Sequence, residues 1–406
     1  MTGSADTDTG TNADGGRRRG GEGESTLIAA SASTRDHVRP LAICHVLWSV
    51  EVGGAERVVL DLARAQRAAG HRVAVVTLSN VRGAMAPEFH RVVETVEAVP
   101  KWRGTDVTLP FRLARWFRSF GADVVHTHNE LPLIYGAPGG KLARATVVHS
   151  KHGTVAVSPR AHLLRRAAAT AADLFVAVSE ATAEVARKTS ECTPAKLRVV
   201  INGTDLSRFP ADAGARAKIR SELGIPADAR VLVKVGRLVK EKNHALLLRA
   251  VAPLLRDDRR LLVVGDGPMR DEVRKLVEAS PARPFVHLTG GRSDVPALLA
   301  AADAWILSSD TEGLPIGLLE AWAAGLPVIA TAVGGIPAAV EHERTGILVP
   351  KGDEKALAAA ALRAFDASPE LAPMAERGRE HALRTYSAEQ MAASYYELYQ
   401  SCRRRS

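Results

Sequence analysis

Two carboxylates, Glu312 and Glu320, stand with seven residues between them in the stretch Ser309 to Glu341, SDTEGLPIGLLEAWAAGLPVIATAVGGIPAAVE. The first falls in a Gly/Pro loop and the second inside the helix that the aliphatic run after it predicts. An ionised carboxylate only accepts hydrogen bonds, so both suit a ligand rich in hydroxyl donors. Between them lie Gly313, Leu314, Pro315, Ile316 and Gly317, which bring backbone N–H groups to a ligand where the helix begins. Bare amides at a helix N-terminus hold anions. Acceptors for hydroxyls beside amides for an anion fit a sugar joined to a diphosphate; the same residues also fit an ordinary strand-loop-helix unit with surface glutamates.

Further charged and small residues sit at the ends of expected strands. Arg230 to Val235 reads as a strand, and the loop after it, Gly236-Arg-Leu-Val-Lys-Glu-Lys-Asn243, carries Arg237 and Lys242 before Asn243 caps a helix. Arginine offers a bidentate fork and lysine a mobile point charge to a diphosphate, although an exposed basic loop can equally be solvated surface. Gly53 and Gly54 follow the apolar run Leu41 to Leu47 and permit close approach of backbone to phosphate, or simply a tight turn. His126 and His128 end the segment Ala122-Asp-Val-Val-His-Thr-His128 at period 2, on one side of an extended chain. Ligands of open α/β sheets lie at the carboxyl ends of strands, which makes either histidine a site candidate.

The elements that must position these groups alternate strand and helix along most of the chain. Leu41 to Leu47, a helix to about Ala69 closed by Gly70, and the strand Arg72 to Leu78 make a βαβ unit and imply a parallel sheet. Strands are expected again at Thr146–His149, Leu174–Val178 and Leu197–Ile201, the last running into the Asn202-Gly203 turn. A second series follows the strand at 230–235: Leu261–Val264, Phe285–Leu288, Asp303–Leu307, Pro327–Thr331 and Gly346–Val349. The expected organisation is a disordered tail over 1–38, an α/β domain over 39–206, a second over 207–386, and a terminal segment, 387–406. The final helix, Ser387 to about Gln400, places Met391, Ser394, Tyr395 and Leu398 at helical spacing.

Composition bounds the function. The 406 residues are enough for two domains with separate cores, and 46% hydrophobic content with only 4% aromatic means cores of Ala, Val, Leu and Ile. No apolar run approaches the ~20 residues of a membrane span, and the N-terminus lacks an apolar signal segment, so a cytoplasmic enzyme is expected. Cys44, Cys192 and Cys402 are too few and scattered for a disulfide framework or zinc site, and Cys44 reads as core. A net charge of +9 fits phosphorylated substrates or an anionic membrane surface; nucleic acid is not expected, given few aromatics and no reader motif. Gly265-Asp-Gly-Pro-Met-Arg270 is not a dinucleotide fingerprint, since Arg stands where the third Gly belongs. Asp6-Thr7-Asp8 is a D-x-D string in the tail, and no carboxylate cluster suited to a divalent metal follows it, so no metal site is expected.

Taken together, the stretch from Glu312 to Glu320, the later Gly334-Gly-Ile-Pro337 turn, Gly53-Gly-Ala-Glu-Arg57, Asp123-Val-Val-His-Thr-His128, His152-Gly153, Val178-Ser-Glu180, Asn202-Gly-Thr-Asp205, Gly236-Arg-Leu with Lys242, and Val264-Gly-Asp-Gly-Pro268 resemble, in order, the motifs of retaining glycosyltransferases of family 4. The resemblance runs from Ala42 onward. It implies two Rossmann-like domains facing across a cleft, the glycosyltransferase B fold, with the terminal helix crossing back to the first domain. It implies transfer of a sugar from a UDP- or GDP-linked donor to a hydroxyl acceptor with retention, by a front-face route, without metal or other cofactor. Carried over residue by residue, His128 is the active-site histidine with His126 as alternate, His152 is a second cleft-facing one, and Gly53-Gly54 lie near phosphates and acceptor. Arg237, Lys242 and the amides of 313–317 take the diphosphate, Glu312 the sugar and Glu320 the ribose, while Gly290 belongs to the loop beside the base. A nucleotide-sugar epimerase of similar architecture and a non-catalytic sugar-binding protein remain alternatives; an epimerase would release an altered sugar without an acceptor.

One stripe bears on location. In Phe111 to Phe120, Leu113, Trp116, Phe117 and Phe120 follow i, i+3, i+4, i+7 with Arg112, Arg115 and Arg118 between them. Such a helix can lie in a membrane interface, or the same stripe can pack on the sheet. Arg160–Arg166 and the arginine tails 17–19 and 403–405 add positive charge.

Overall fold

The computed structural model describes residues 39–79, 83–153, 159–210 and 212–403; Asp6-Thr7-Asp8, Arg160's side chain and the arginines at 17–19, 404 and 405 lie outside them. Among the described residues thirteen strands form two sheets. The first contains β1 (Ala42–Leu47), β2 (Arg72–Thr77), β3 (Thr95–Ala98), β4 (Val124–His128), β5 (Thr146–Lys151), β6 (Leu174–Ala177) and β7 (Leu197–Val199), in the order β3-β2-β1-β4-β5-β6-β7. The second contains β8 (Arg230–Val235), β9 (Arg259–Val264), β10 (Val286–Gly290), β11 (Ala304–Leu307), β12 (Val328–Thr331) and β13 (Ile347–Val349), ordered β10-β9-β8-β11-β12-β13. Every pairing within the two sheets is parallel. Parallel strands covered on both faces must be apolar throughout, and β1, Ala-Ile-Cys-His-Val-Leu, is buried at all six positions. Cys44 is core, as expected, with its thiol pushed up by burial.

Strand order reverses between β1 and β4 and again between β8 and β11, and the crevice of such a sheet opens at these switch points. The two carboxyl edges face each other. The chain passes between the units twice, side by side: Thr204 N donates to Tyr386 O at 3.0 Å and Ala388 N to Thr204 O at 3.1 Å. The last helix, Ala388–Arg403, returns to the first sheet, burying Met391, Tyr395, Leu398 and Tyr399. Its Tyr395 hydroxyl pairs with Ser150 Oγ of β5 at 2.7 Å.

The aromatic stripe is core rather than membrane-facing. On the helix Leu109–Phe120, Leu113 and Phe117 are fully buried and Trp116 stacks on Phe120 at 5.5 Å between centroids. The reason is topological: a helix joining two parallel strands must cover the sheet, and this is its only apolar face. Arg112 turns away to Asp106 at 2.5 Å and lies over the Trp102 ring.

Candidate active site

A cleft of about 330 Å³ lies between the two carboxyl edges. From the first unit it is lined by the Gly53-Gly54 turn after β1, Arg57 and Glu88, and by His152 after β5. From the second come Gly236, Arg237 and Lys242 after β8, Gly265 and Asp266 after β9, Gly291 and Arg292 after β10, and Glu312 to Gly317 with Glu320 after β11. Every residue expected to hold the ligand lines this cleft except two, His128 and Gly290. Gly290 lies one residue away, with φ 71° and its carbonyl accepting from Gly265 N at 2.8 Å.

Backbone packing explains the glycines. At Gly334, φ 58°, an added Cβ would stand 1.8 Å from the Glu312 carbonyl oxygen, so only glycine lets this turn press on the Glu312 loop. Gly335 N then donates to Gly313 O at 2.7 Å, fixing the loop whose next residues open the helix Ile316–Ala323. At Gly265, φ 147°, a Cβ would meet Gly236 O at 2.0 Å, which locks the turn after β9 to the cation-bearing loop after β8.

Lys242 Nζ donates to Glu312 Oε1, which also accepts from Ser309 Oγ at 2.6 Å. Beneath this pair lies Lys234, fully buried in β8, whose Nζ makes one bond, to Val235 O at 3.3 Å. Burial, with Lys242 nearby, pulls its ammonium down to about 7. Glu320 is buried and its carboxylate receives no hydrogen bond from any described residue. Burial raises it to about 7, against Arg208 and Arg57, which hold it down. Asn243, in the left-handed region with φ 45°, caps the helix His244–Val251 through Leu246 N at 3.1 Å and ties Asp310 at 3.2 Å.

The histidines are arranged differently from expectation. β4 continues through His128, so His126 packs under Tyr395 and Tyr399 of the terminal helix and His128 between His45 and His152, at 0% and 1% exposure, and neither lines the cleft. The residue in the cleft wall is His152, whose Nε2 lies 3.0 Å from His128 Nδ1. Asn129, held at φ 64°, takes His152 N on its Oδ1 at 3.2 Å. Sequence reasoning also passed over Arg57, which makes a two-pronged bond to Glu88 at 2.9 and 3.2 Å, and over Arg208 and Lys234. Arg57 was visible in the Gly53–Arg57 motif; no local pattern marks the other two.

Two family models match the chain, Glycosyltransferase Family 4 over residues 52–208 and Glycosyl transferases group 1 over 215–381. N-acetyl-alpha-D-glucosaminyl L-malate synthase of Bacillus anthracis is 27% identical over 86% of this chain and 94% of its own length. D-inositol 3-phosphate glycosyltransferase of Saccharomonospora viridis is 35% identical over 64% of this chain, which spans 66% of that enzyme. Among solved structures, Anabaena HepE in complex with UDP-glucose superposes with a TM-score of 0.79 at 23% identity, covering 89% of this chain and all of that one. WaaG, of lipopolysaccharide biosynthesis, gives 0.68 at 21% identity, with 88% and 99% covered. Both share the two-domain Rossmann-like fold.

Proposed function

The chain belongs to the group 1, family 4 glycosyltransferases, and from that premise we propose that it moves a sugar from a UDP- or GDP-linked donor to a hydroxyl acceptor with retention of configuration. One observation carries the reading: Arg237, Lys242, the amides of 313–317, Glu312 and Glu320 converge on one wall of a single cleft, with Gly53-Gly54, Arg57 and His152 opposite. Of the relatives named above, one is an N-acetyl-alpha-D-glucosaminyl L-malate synthase and another a D-inositol 3-phosphate glycosyltransferase. A mycobacterial relative, 33% identical over 60% of this chain and 66% of its own, is a GDP-mannose-dependent mannosyltransferase of a phosphatidylinositol mannoside. These support a nucleotide-sugar donor and a glycan, glycolipid or glycosylated metabolite as product.

In this reading Glu320 takes the ribose hydroxyls and Glu312 the sugar. Arg237 and the helix amides take the diphosphate, and Lys242, already beside Glu312, bridges the two. As the bond between the sugar and the phosphate oxygen breaks, negative charge grows on that oxygen. Fixed cations and amides stabilise it without reorganising, which is the main source of rate in such a site. The same groups neutralise the phosphates, so a divalent metal is not required. The acceptor hydroxyl enters between the Gly53-Gly54 turn and His152, on the face the leaving group occupies, and retention follows from that approach.

The test is a thermal-shift screen of UDP- and GDP-sugars, followed by product analysis with and without acceptor. A ligand that binds only the folded chain raises its apparent stability according to its concentration over its affinity. Stabilisation by at least one of them, with acceptor-dependent release of the nucleoside diphosphate, is expected. An altered sugar released without acceptor would overturn the reading.

A further inference from the structure

A chain of buried rings runs from the middle of the first unit to the cleft wall. Gln66 Oε1, on the helix Gly54–Ala68, lies 2.8 Å from His45 Nε2. His45 Nδ1 lies 2.9 Å from His128 Nε2, and His128 Nδ1 lies 3.0 Å from His152 Nε2. The far nitrogen of the last ring, His152 Nδ1, is buried and has no partner among the described residues.

Each neutral imidazole has one donor and one acceptor nitrogen, so the direction of the first bond fixes all the others. Gln66 Oε1 can only accept. His45 must therefore carry its proton on Nε2 and accept on Nδ1; His128 then donates from Nε2 and accepts on Nδ1; His152 donates from Nε2, and its Nδ1 keeps a bare lone pair. Burial holds His45 and His152 down to about 4, and burial beside the other histidines holds His128 well below its ordinary value, so the rings are neutral near pH 7.

A branch of the network fits the Gln66 orientation. Gln66 Nε2 points at the Tyr399 hydroxyl, 3.4 Å away, which lies 2.8 Å from His126 Nδ1; His126 Nε2 lies 2.7 Å from Ser150 Oγ. With the amide donating to Tyr399, that hydroxyl donates to His126 and His126 donates to Ser150. His45, His126 and His128 come close enough together to suggest a metal site, but the nitrogens of all three are spent on these bonds.

We infer that Gln66, His45 and His128 are positioning residues that lock His152 in its Nε2–H tautomer, so that the histidine edge of the cleft offers an acceptor and takes a hydroxyl or amide hydrogen, not a phosphate or carboxylate oxygen. This rests on the glycosyl-transfer reading only for the identity of the ligand: it assigns His152 to a sugar or acceptor hydroxyl and away from the diphosphate. A site built to hydrogen-bond a hydroxyl rejects an analogue lacking it because its buried polar atom is left unpaired.

The experiment is a long-range proton–nitrogen correlation spectrum of the full chain labelled with nitrogen-15 at histidine, at pH 7.5 without ligand, with His152 identified through His152→Gln. The expected signature is a neutral Nε2–H ring; an Nδ1–H ring or an imidazolium overturns the inference. Gln66→Glu keeps an acceptor facing His45 and is expected to leave that signature in place, whereas Gln66→Leu frees the end of the relay and should give His152 averaged nitrogen shifts. An unchanged His152 in a folded Gln66→Leu chain would show that the relay does not set the tautomer. No donor is needed, so an absence of glycosyl transfer with an Nε2–H His152 would count against the functional reading and leave the relay standing.

Discussion

Lys242 and Glu312, which the sequence marks as cation for the diphosphate and acceptor for the sugar, are bonded to each other. Seventy positions apart in the chain, they meet because the loops after β8 and β11 share one crevice edge. The pair holds each side chain in the geometry its ligand requires. Lys242→Ala and Glu312→Ala should each lower transfer by at least ~10², the usual loss for one preorganised charged group. Because each removal also frees the other residue, the double variant should fall well short of the product of the two single effects. Steady-state rates for the three variants decide it; strict multiplicativity would mean the pair does not work as a unit.

The Arg237 guanidinium makes no hydrogen bond to a described residue and is exposed in the cleft, so its charge is available to a ligand at little structural cost. Arg237→Ala should leave the melting temperature within a degree or two of the parent and cost ~10² or more in turnover. With the phosphates assigned to Arg237, Lys242 and amides, transfer should also survive EDTA. Complete inhibition that added Mg²⁺ or Mn²⁺ reverses would remove that assignment.

Glu320 gives a pH dependence with a definite sign. Its carboxyl sits at about 7 in the ligand-free chain, raised by burial, while ribose hydroxyls need an acceptor carboxylate. Below pH 7 binding must expel a proton, so donor affinity should weaken by up to about tenfold per unit and level off above it. The same shift makes this group's contribution to folding full below about 4.5 and lost as pH rises through 7. Glu320→Gln should bind more weakly at pH 8 and lose the slope. Calorimetric titrations from pH 5.5 to 8.5 would show it; parallel profiles in parent and variant would exclude Glu320 as the titrating group.

How much of this was legible differs from element to element, for physical reasons. β8 was read to the residue, because an apolar run ending at Gly236 has both a period and a stop. β3, Thr-Val-Glu-Ala, was missed: it is a short edge strand with one buried position and no sharp pattern. The second unit's side of the cleft was visible because its residues lie in turns directly after strands, where spacing and geometry coincide. Period 2 left His126 and His128 both open and the family resemblance chose His128, but neither signal says where the strand ends or what covers it. What covers it is Tyr395 and Tyr399, more than 250 residues away and recognisable only once the terminal helix is seen to return.

Lys234 predicts a stabilising substitution. A fully buried ammonium with a single bond, pulled from 10.5 to about 7, is paid for by the rest of the fold at neutral pH. The unfolded chain keeps its proton up to about 10.5, so this group makes the fold more stable as pH rises from about 7 to 10.5. Lys234→Met, similar in length and apolar, should raise unfolding free energy by roughly 1 to 5 kcal/mol at pH 7.5 and flatten the slope above it. Urea unfolding at pH 7.5 and 9.5 measures both; a destabilised variant would mean that Lys234 has partners in the folded chain that offset its burial.

With the stripe of Leu113, Trp116, Phe117 and Phe120 committed to the core, any attachment to a membrane must use another surface. Among the described residues no helix is long and apolar enough to cross a bilayer. The helix Pro159–Thr170 instead exposes Leu163 at 65% and Leu164 at 58%, with Arg166 beside them on its surface. Two leucines inserted at an interface are worth roughly 1.5 to 3 kcal/mol each when fully buried, and each arginine near anionic lipid about 1 kcal/mol. These sums suffice for weak, reversible, salt-sensitive binding, which would suit a lipid-linked acceptor. Vesicles containing anionic lipid should therefore co-sediment the chain at low salt, less so as salt rises, and Leu163→Glu with Leu164→Glu should reduce binding at least tenfold without changing the fold. Sedimentation that ignores both substitutions would move the contact elsewhere, and no sedimentation at low salt would leave the enzyme without a membrane surface.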